Sequence, residues 1–217
     1  MKTLPLLCTV LFFASCKTMM LNKMVDDPTV ENTSTIKAFL TAGNFSQENS
    51  LILKGDSASA LGNMLQGMTN GYFVFDSVGN HLSYNGASTC KGVQFQELIK
   101  GNDKNFIRGK EEFSLLDILG NSYTLSEKDI TMKDLAPAKY YVVSYWAKYM
   151  GGTKNYKSDV QFMEDQIKNS TPAGMFTFVK VNTDLQESWG MKPGGKGKLE
   201  FKKKKKNYEM EVELPVN

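Results

Sequence analysis

The sequence predicts an α/β domain with a central mixed sheet flanked by helices, and three stretches carry the prediction. Residues 140–146 (Tyr-Tyr-Val-Val-Ser-Tyr-Trp) form a continuous apolar run, the pattern of a central strand covered on both faces. Tyr156, Val160, Met163 and Ile167 then recur at i, i+4, i+7 and i+11, one face of an amphipathic helix. After the break at Pro172-Ala173-Gly174, residues 175–181 read as a second strand. Such a strand–helix–strand unit pairs its strands in parallel with a right-handed crossover.

The other elements follow in chain order. Residues 17–47 are rich in Asn, Thr, Ser and Asp, and with Pro28 they read as a tether holding one short helix at 36–40. Leu51-Ile52-Leu53 is a short buried strand. Ala58, Leu61, Leu65 and Met68 recur at helical spacing. Residues 71–75 form a strand that turns at Val78-Gly79-Asn80 into a second strand, 81–84. Residues 93–100 are a helix ended by Gly101, and the charged stretch 102–112 reads as a loop. Residues 113–125 read as strand, Gly120-Asn121 turn, strand.

The chain ends in an alternating hairpin, 198–214. A turn at Lys206-Asn207 sets Phe201 against Val212, Leu199 against Leu214, Lys202 against Glu211 and Lys204 against Glu209. These charge pairs give the lysine run a structural role on a polar outer face.

Composition excludes several classes. The chain has 217 residues, 41% hydrophobic, 23% charged and 11% aromatic, which are globular values. A formal charge of +3, concentrated in one lysine run, excludes a general nucleic-acid binder. Three cysteines (Cys8, Cys16, Cys90) and one histidine (His81) supply no metal site or disulfide scaffold, and no cofactor is implied.

Residues 1–15 begin with Lys2 and an apolar stretch too short to span a bilayer as a helix, and Ala14-Ser15 precede Cys16. This resembles a bacterial lipobox, with Phe13 departing from the usual aliphatic residue. The resemblance implies removal of residues 1–15 and acylation of Cys16. Each buried methylene contributes about 0.8 kcal/mol, so several chains anchor the protein for good. The protein is then expected in the bacterial cell envelope, lipid-anchored to the outer membrane and facing the periplasm; Lys17 in place of an acidic residue favours that membrane. Cys90 would remain the lone cysteine of the mature chain.

Trp146-Ala147-Lys148-Tyr149-Met150-Gly151-Gly152-Thr153-Lys154 follows the central strand and resembles the W-A-x-W-C-G-x-C-K segment of thioredoxin-like proteins of the TlpA and peroxiredoxin type. Phe113-x-Leu115-x-Asp117-x-x-Gly120 with Tyr123-x-Leu125 is similar to their opening hairpin, and 179–184 to the strand that follows. The resemblance implies a thioredoxin-like core at 113–217, preceded by an α/β extension at 48–112 and the tether at 16–47. Met150 and Thr153 stand at the two cysteine positions. A thioether neither ionises nor forms a disulfide, and Thr153 lacks a neighbouring base, so thiol–disulfide exchange is lost. Pro193 stands near the place of the family's cis-proline; the Gly-Gly-Lys-Gly that follows departs from the pattern and leaves the trans form equally open.

The resemblance therefore implies a redox-inactive domain that binds an envelope protein or peptide. Its candidate binding residues are Trp146, Tyr149, Met150, Gly151, Gly152, Thr153, Lys154, Trp189 and Pro193, with Tyr149 and Trp189 as aromatic anchors. Two alternatives stand beside it. One is a thiol-dependent oxidoreductase or peroxidase-like role for Cys90, which lies at a helix start about fifty residues before the central strand. The other is a protective lipoprotein of the inhibitor or immunity type.

Overall fold

The computed structural model describes residues 25–69, 71–109, 113–204 and 207–216. The signal segment, Cys16 and Lys206 of the expected turn lie outside the described residues.

Asn32 opens α1 (Thr33–Ala42) with a capping box: its side chain accepts the Thr35 N–H, and the Thr35 hydroxyl oxygen accepts the Asn32 N–H, both at 3.0 Å. The chain continues through β1 (Ser50–Leu53), α2 (Ala60–Thr69), β2 (Tyr72–Asp76), β3 (His81–Tyr84), α3 (Lys91–Ile99), β4 (Phe106–Arg108), α4 (Leu115–Gly120), β5 (Ser122–Thr124) and β6 (Tyr140–Trp146). Next come α5 (Gly152–Asn155), a π-helical stretch (Tyr156–Gln161) and α6 (Phe162–Ser170), then β7 (Phe176–Asn182), β8 (Lys198–Lys204) and β9 (Asn207–Glu213).

Seven strands form one mixed sheet in the order β4-β3-β2-β6-β7-β1-β5. β6, β7 and β1 run parallel, and the remaining neighbours pair antiparallel. The period of two divides each central strand between two cores. Tyr141, Val143 and Tyr145 of β6 face α2, α4 and the β8–β9 hairpin, while Val142 and Trp146 face α1, α3 and the helix at 156–167. Val142 and Val143 are fully buried, and burial of each such side chain contributes about 1.5–3 kcal/mol. Tyr156, Val160, Met163 and Ile167 are all buried, as their spacing predicts. A charge also enters this layer. Lys180 of β7 is fully buried and donates to Glu164 Oε2 and to the Ser46 carbonyl, both at 3.0 Å.

Several expectations are corrected. Residues 25–47 are not a free tether, because Val30, Ile36, Leu40 and Phe45 are buried in the two cores. Residues 115–120 form α4 instead of a strand: Ser114 and Asp117 make a reciprocal capping box that fixes a helical turn. The expected loop at 102–112 contains β4, which pairs with β3. On α2 the buried face is Ala60 and Met64, whereas Leu61 and Leu65 are exposed. Residues 50–108 supply four of the seven strands, and β8–β9 forms a separate two-stranded sheet. Its register sets Leu199 against Val212, Phe201 against Met210 and Lys202 against Glu209, two residues from the expected pairing. The Lys202–Glu211 ion pair persists as a diagonal contact.

Candidate functional site

The turn after β6 is mostly closed. Tyr149 is buried and donates its hydroxyl to the Met64 carbonyl of α2 at 2.8 Å. Met150 is half-buried, and its carbonyl accepts the Asn155 side-chain amide at 2.6 Å. Gly151 has φ +82°, and a Cβ there would lie 2.4 Å from the Asn155 side chain. Backbone and space therefore both require glycine. Gly152 donates its N–H to the Lys148 carbonyl at 2.7 Å, and its φ is +56°. Only Thr153 and Lys154 of this segment are exposed.

Trp146 and Trp189 sit in different cores. Trp146 stacks on Phe39 and meets Tyr156 edge-on. Trp189 is 2% exposed and donates Nε1 to the Leu53 carbonyl at 3.2 Å. Neither Tyr149 nor Trp189 is the exposed contact anchor that the sequence suggested. Pro193 is exposed, and its peptide bond is trans, as no cis bond occurs among the described residues. Cys90 is exposed at the amino end of α3, and His81 is buried against Phe113.

The segment 25–31 crosses this end of the sheet. Asp26 donates its N–H to the Tyr149 carbonyl at 2.7 Å, and Glu31 Oε1 accepts Lys148 Nζ at 2.7 Å. Val30 bonds to Gly195, and Asp27 accepts the Leu199 N–H. Beneath it, Asp184 is 1% exposed and accepts the Lys148 N–H on both oxygens, at 2.9 and 3.0 Å. The Asn182 amide donates to it at 2.7 Å. Burial, with the Glu31 carboxylate adding repulsion, pushes the Asp184 carboxyl up to about 6.

A concavity lies beside this turn, between α2 and α4. It is a groove of about 650 Å³, within the usual range for small-molecule sites. Leu53, Phe73, Phe113, Ile118 and Tyr145 give it an apolar floor; Ser59, Asn63 and Gln66 line one wall and Asp117 and Asn121 the other, with Lys54 and Gly55 between them. A Cβ on Gly55 would lie 2.5 Å from Asn63 Nδ2 and 3.1 Å from both Ser59 Oγ and Trp189 Cε2, so glycine lets these elements converge. The buried anchors act on this groove from behind: Tyr149 ties α2 to the turn, and Trp189 ties the end of β1 to the loop after β7. Of the groove residues, the sequence singled out Phe113 and Asp117 as part of a hairpin, Leu53 in a strand and Asn121 in a turn, none of them as a site. The polar residues of the α2 wall, Ser59, Asn63 and Gln66, share no motif with the elements they face.

No protein-family model, curated protein or solved structure matches the chain.

Proposed function

We propose that the protein is a lipid-anchored envelope protein that works by binding a ligand in the groove between α2 and α4, on a thioredoxin-like frame without its dithiol. The observation that carries the reading is the groove itself, an apolar floor ringed by neutral polar side chains. The frame is supported by β6 running directly into the Trp146–Lys154 turn and by β7 lying parallel beside it. It departs from the resembled pattern in the Pro193 peptide bond, which is trans, and in the sheet, where the antiparallel strand beside β6 is β2, which precedes it in the chain, and not the strand after Pro193.

The experiment is a thermal-shift screen of a small-molecule panel against the full chain and against Gln66→Trp, which fills the groove from an exposed helix position. Compounds are expected to stabilise the parent and to lose that effect in the variant. A panel with no stabiliser, or stabilisers indifferent to Gln66→Trp, overturns the reading. Anchoring is tested separately, because Cys16→Ala should abolish incorporation of labelled fatty acid.

One observation favours a thiol reading as the alternative, the exposure of Cys90 at the start of α3. Insulin reduction with dithiothreitol that vanishes in Cys90→Ser would support that reading.

A further inference from the structure

The polar groups around the groove are unevenly divided between donors and acceptors. Asn63 Nδ2 donates to the Lys54 carbonyl at 3.3 Å, and Asn121 Nδ2 to the Asp117 carbonyl at 2.9 Å. A carbonyl only accepts, so one N–H of each amide is engaged, and the amide oxygens, which make no hydrogen bond among the described residues, remain for a ligand. Lys54 Nζ is engaged by Asp129 at 2.7 Å and by the Gly120 carbonyl at 3.0 Å. The Ser59 hydroxyl donates to Asp56. Gln66 alone offers a donor and an acceptor in equal measure.

Charge points the same way. Asp129 offsets the one cation of the lining, Lys54, whereas Asp117 has no cationic partner among the described residues. Hydrogen bonds from Ser114 reach one Asp117 oxygen and hold this exposed carboxyl below its ordinary value, so it is an anion at neutral pH. Its second oxygen remains for a ligand. Phe73, Phe113 and Tyr145 complete the floor, with Phe73 edge-on to both other rings. A second, independent observation lies at the bottom. The Tyr145 side chain is largely buried in the floor, and no hydrogen bond of its hydroxyl occurs among the described residues. The hydroxyl is not sealed off from solvent, so what enters the groove can bond to it in place of water.

Resting on the groove as the binding site, we propose that its ligand is an organic ammonium, a primary amine on a short apolar body. The N–H groups are received by the Asp117 carboxylate and the Asn63 and Asn121 oxygens, the aromatic floor takes the apolar body, and the Tyr145 hydroxyl accepts or donates at its end.

The test is calorimetric titration of the full chain with phenethylammonium, 2-phenylethanol and phenylacetate, which share a ring and differ in head group. Phenethylammonium should bind at least about tenfold tighter than the alcohol, with phenylacetate weakest, and added salt should weaken only the ammonium. Asp117→Asn should cost the ammonium about tenfold and leave the alcohol within about twofold. Tyr145→Phe removes a hydroxyl and no packing, and should weaken the ammonium about fivefold; this arm decides the matter if Asp117→Asn does not fold. Equal binding of ammonium and alcohol, or ammonium binding unchanged in both variants, overturns the cation while the groove stands. Absence of binding by all three probes, or binding that survives Gln66→Trp, overturns the groove with it.

Discussion

Asp184 makes the domain more stable in mild acid, contrary to the usual behaviour of carboxylates. Its carboxyl titrates near 6 in the fold against an ordinary 3.8. Between those values the folded chain holds a proton that the unfolded chain has released, so stability falls as pH rises through the window. At 1.36 kcal/mol per pH unit, the whole window amounts to about 3 kcal/mol, and the step from pH 7 to pH 5 recovers about 1.4 kcal/mol of it. Asp76, Asp103, Asp117 and Asp134 are held below 3.8 and Glu164 below 4.5, so their contribution is lost only at lower pH. The perturbation is Asp184→Asn, whose side-chain oxygen still accepts the Lys148 N–H. Urea denaturation followed by circular dichroism at pH 7 and pH 5 should show the parent gaining about 1.4 kcal/mol on acidification and the variant gaining nothing. A parent that loses stability over this interval, or a variant that keeps the full gain, refutes the assignment of the proton to Asp184.

Removing the buried cation should be costly: Lys180→Met leaves Glu164 with Lys168 alone, for an expected loss of about 3 kcal/mol in urea titrations, and Glu164→Met in the same chain should recover most of it. Both tryptophans, Trp146 and Trp189, are buried, so emission should be blue-shifted and acrylamide quenching weak until the chain unfolds. Trp189→Phe keeps an aromatic ring but loses the bond to Leu53, and should lower stability by about 1–3 kcal/mol through the orphaned carbonyl and lost contact area, measured by the urea midpoint. If the turn keeps the geometry of the resembled motif, Met150→Cys with Thr153→Cys should oxidise to an intramolecular disulfide, detected as a loss of two titratable thiols; a pair that stays reduced under mild oxidation counts against the frame.

The elements legible in the sequence were those whose pattern admits one reading. β6 is apolar throughout, the helix after it repeats at 3.6 residues, and β2–β3 bracket a turn at Val78-Gly79-Asn80. α4 was misread because Leu115, Leu116, Ile118 and Leu119 surround a single Asp117, and a run that short has no period to separate strand from helix. The signal that could have found it is the Ser114-x-x-Asp117 capping box. α2 went wrong for a related reason: 60, 61, 64, 65 and 68 form a broad apolar stripe, and the sequence does not say which edge faces inward. The hairpin register slipped by two because alternation is preserved under that shift, leaving every side chain on the same face. The segment at 25–47 looked like a linker by composition, yet Asn32-x-x-Thr35 followed by Ile36 and Leu40 carries both a cap and an i, i+4 pair. The groove was illegible because its walls are ordinary surface residues, and only the placement of α2 and α4 on one face of the sheet gives them a common address.

The path of the chain through the sheet also constrains the order of assembly. Asp27 reaches Leu199 and Asn32 reaches Glu187, separations of 172 and 155 residues. β1 is held between β5 and β7, so Leu51 and Ile52 lack one neighbour until residues 181 and 182 arrive. Contacts this remote in sequence give the domain a high contact order and a slow approach to the native state. A chain emerging amino end first can pair β2, β3 and β4 early, but its first strand and first helix keep their apolar faces uncovered until nearly the whole polypeptide has appeared. Such intermediates are prone to aggregate, and a cell making this protein has reason to keep a chaperone on it until β7 is in place.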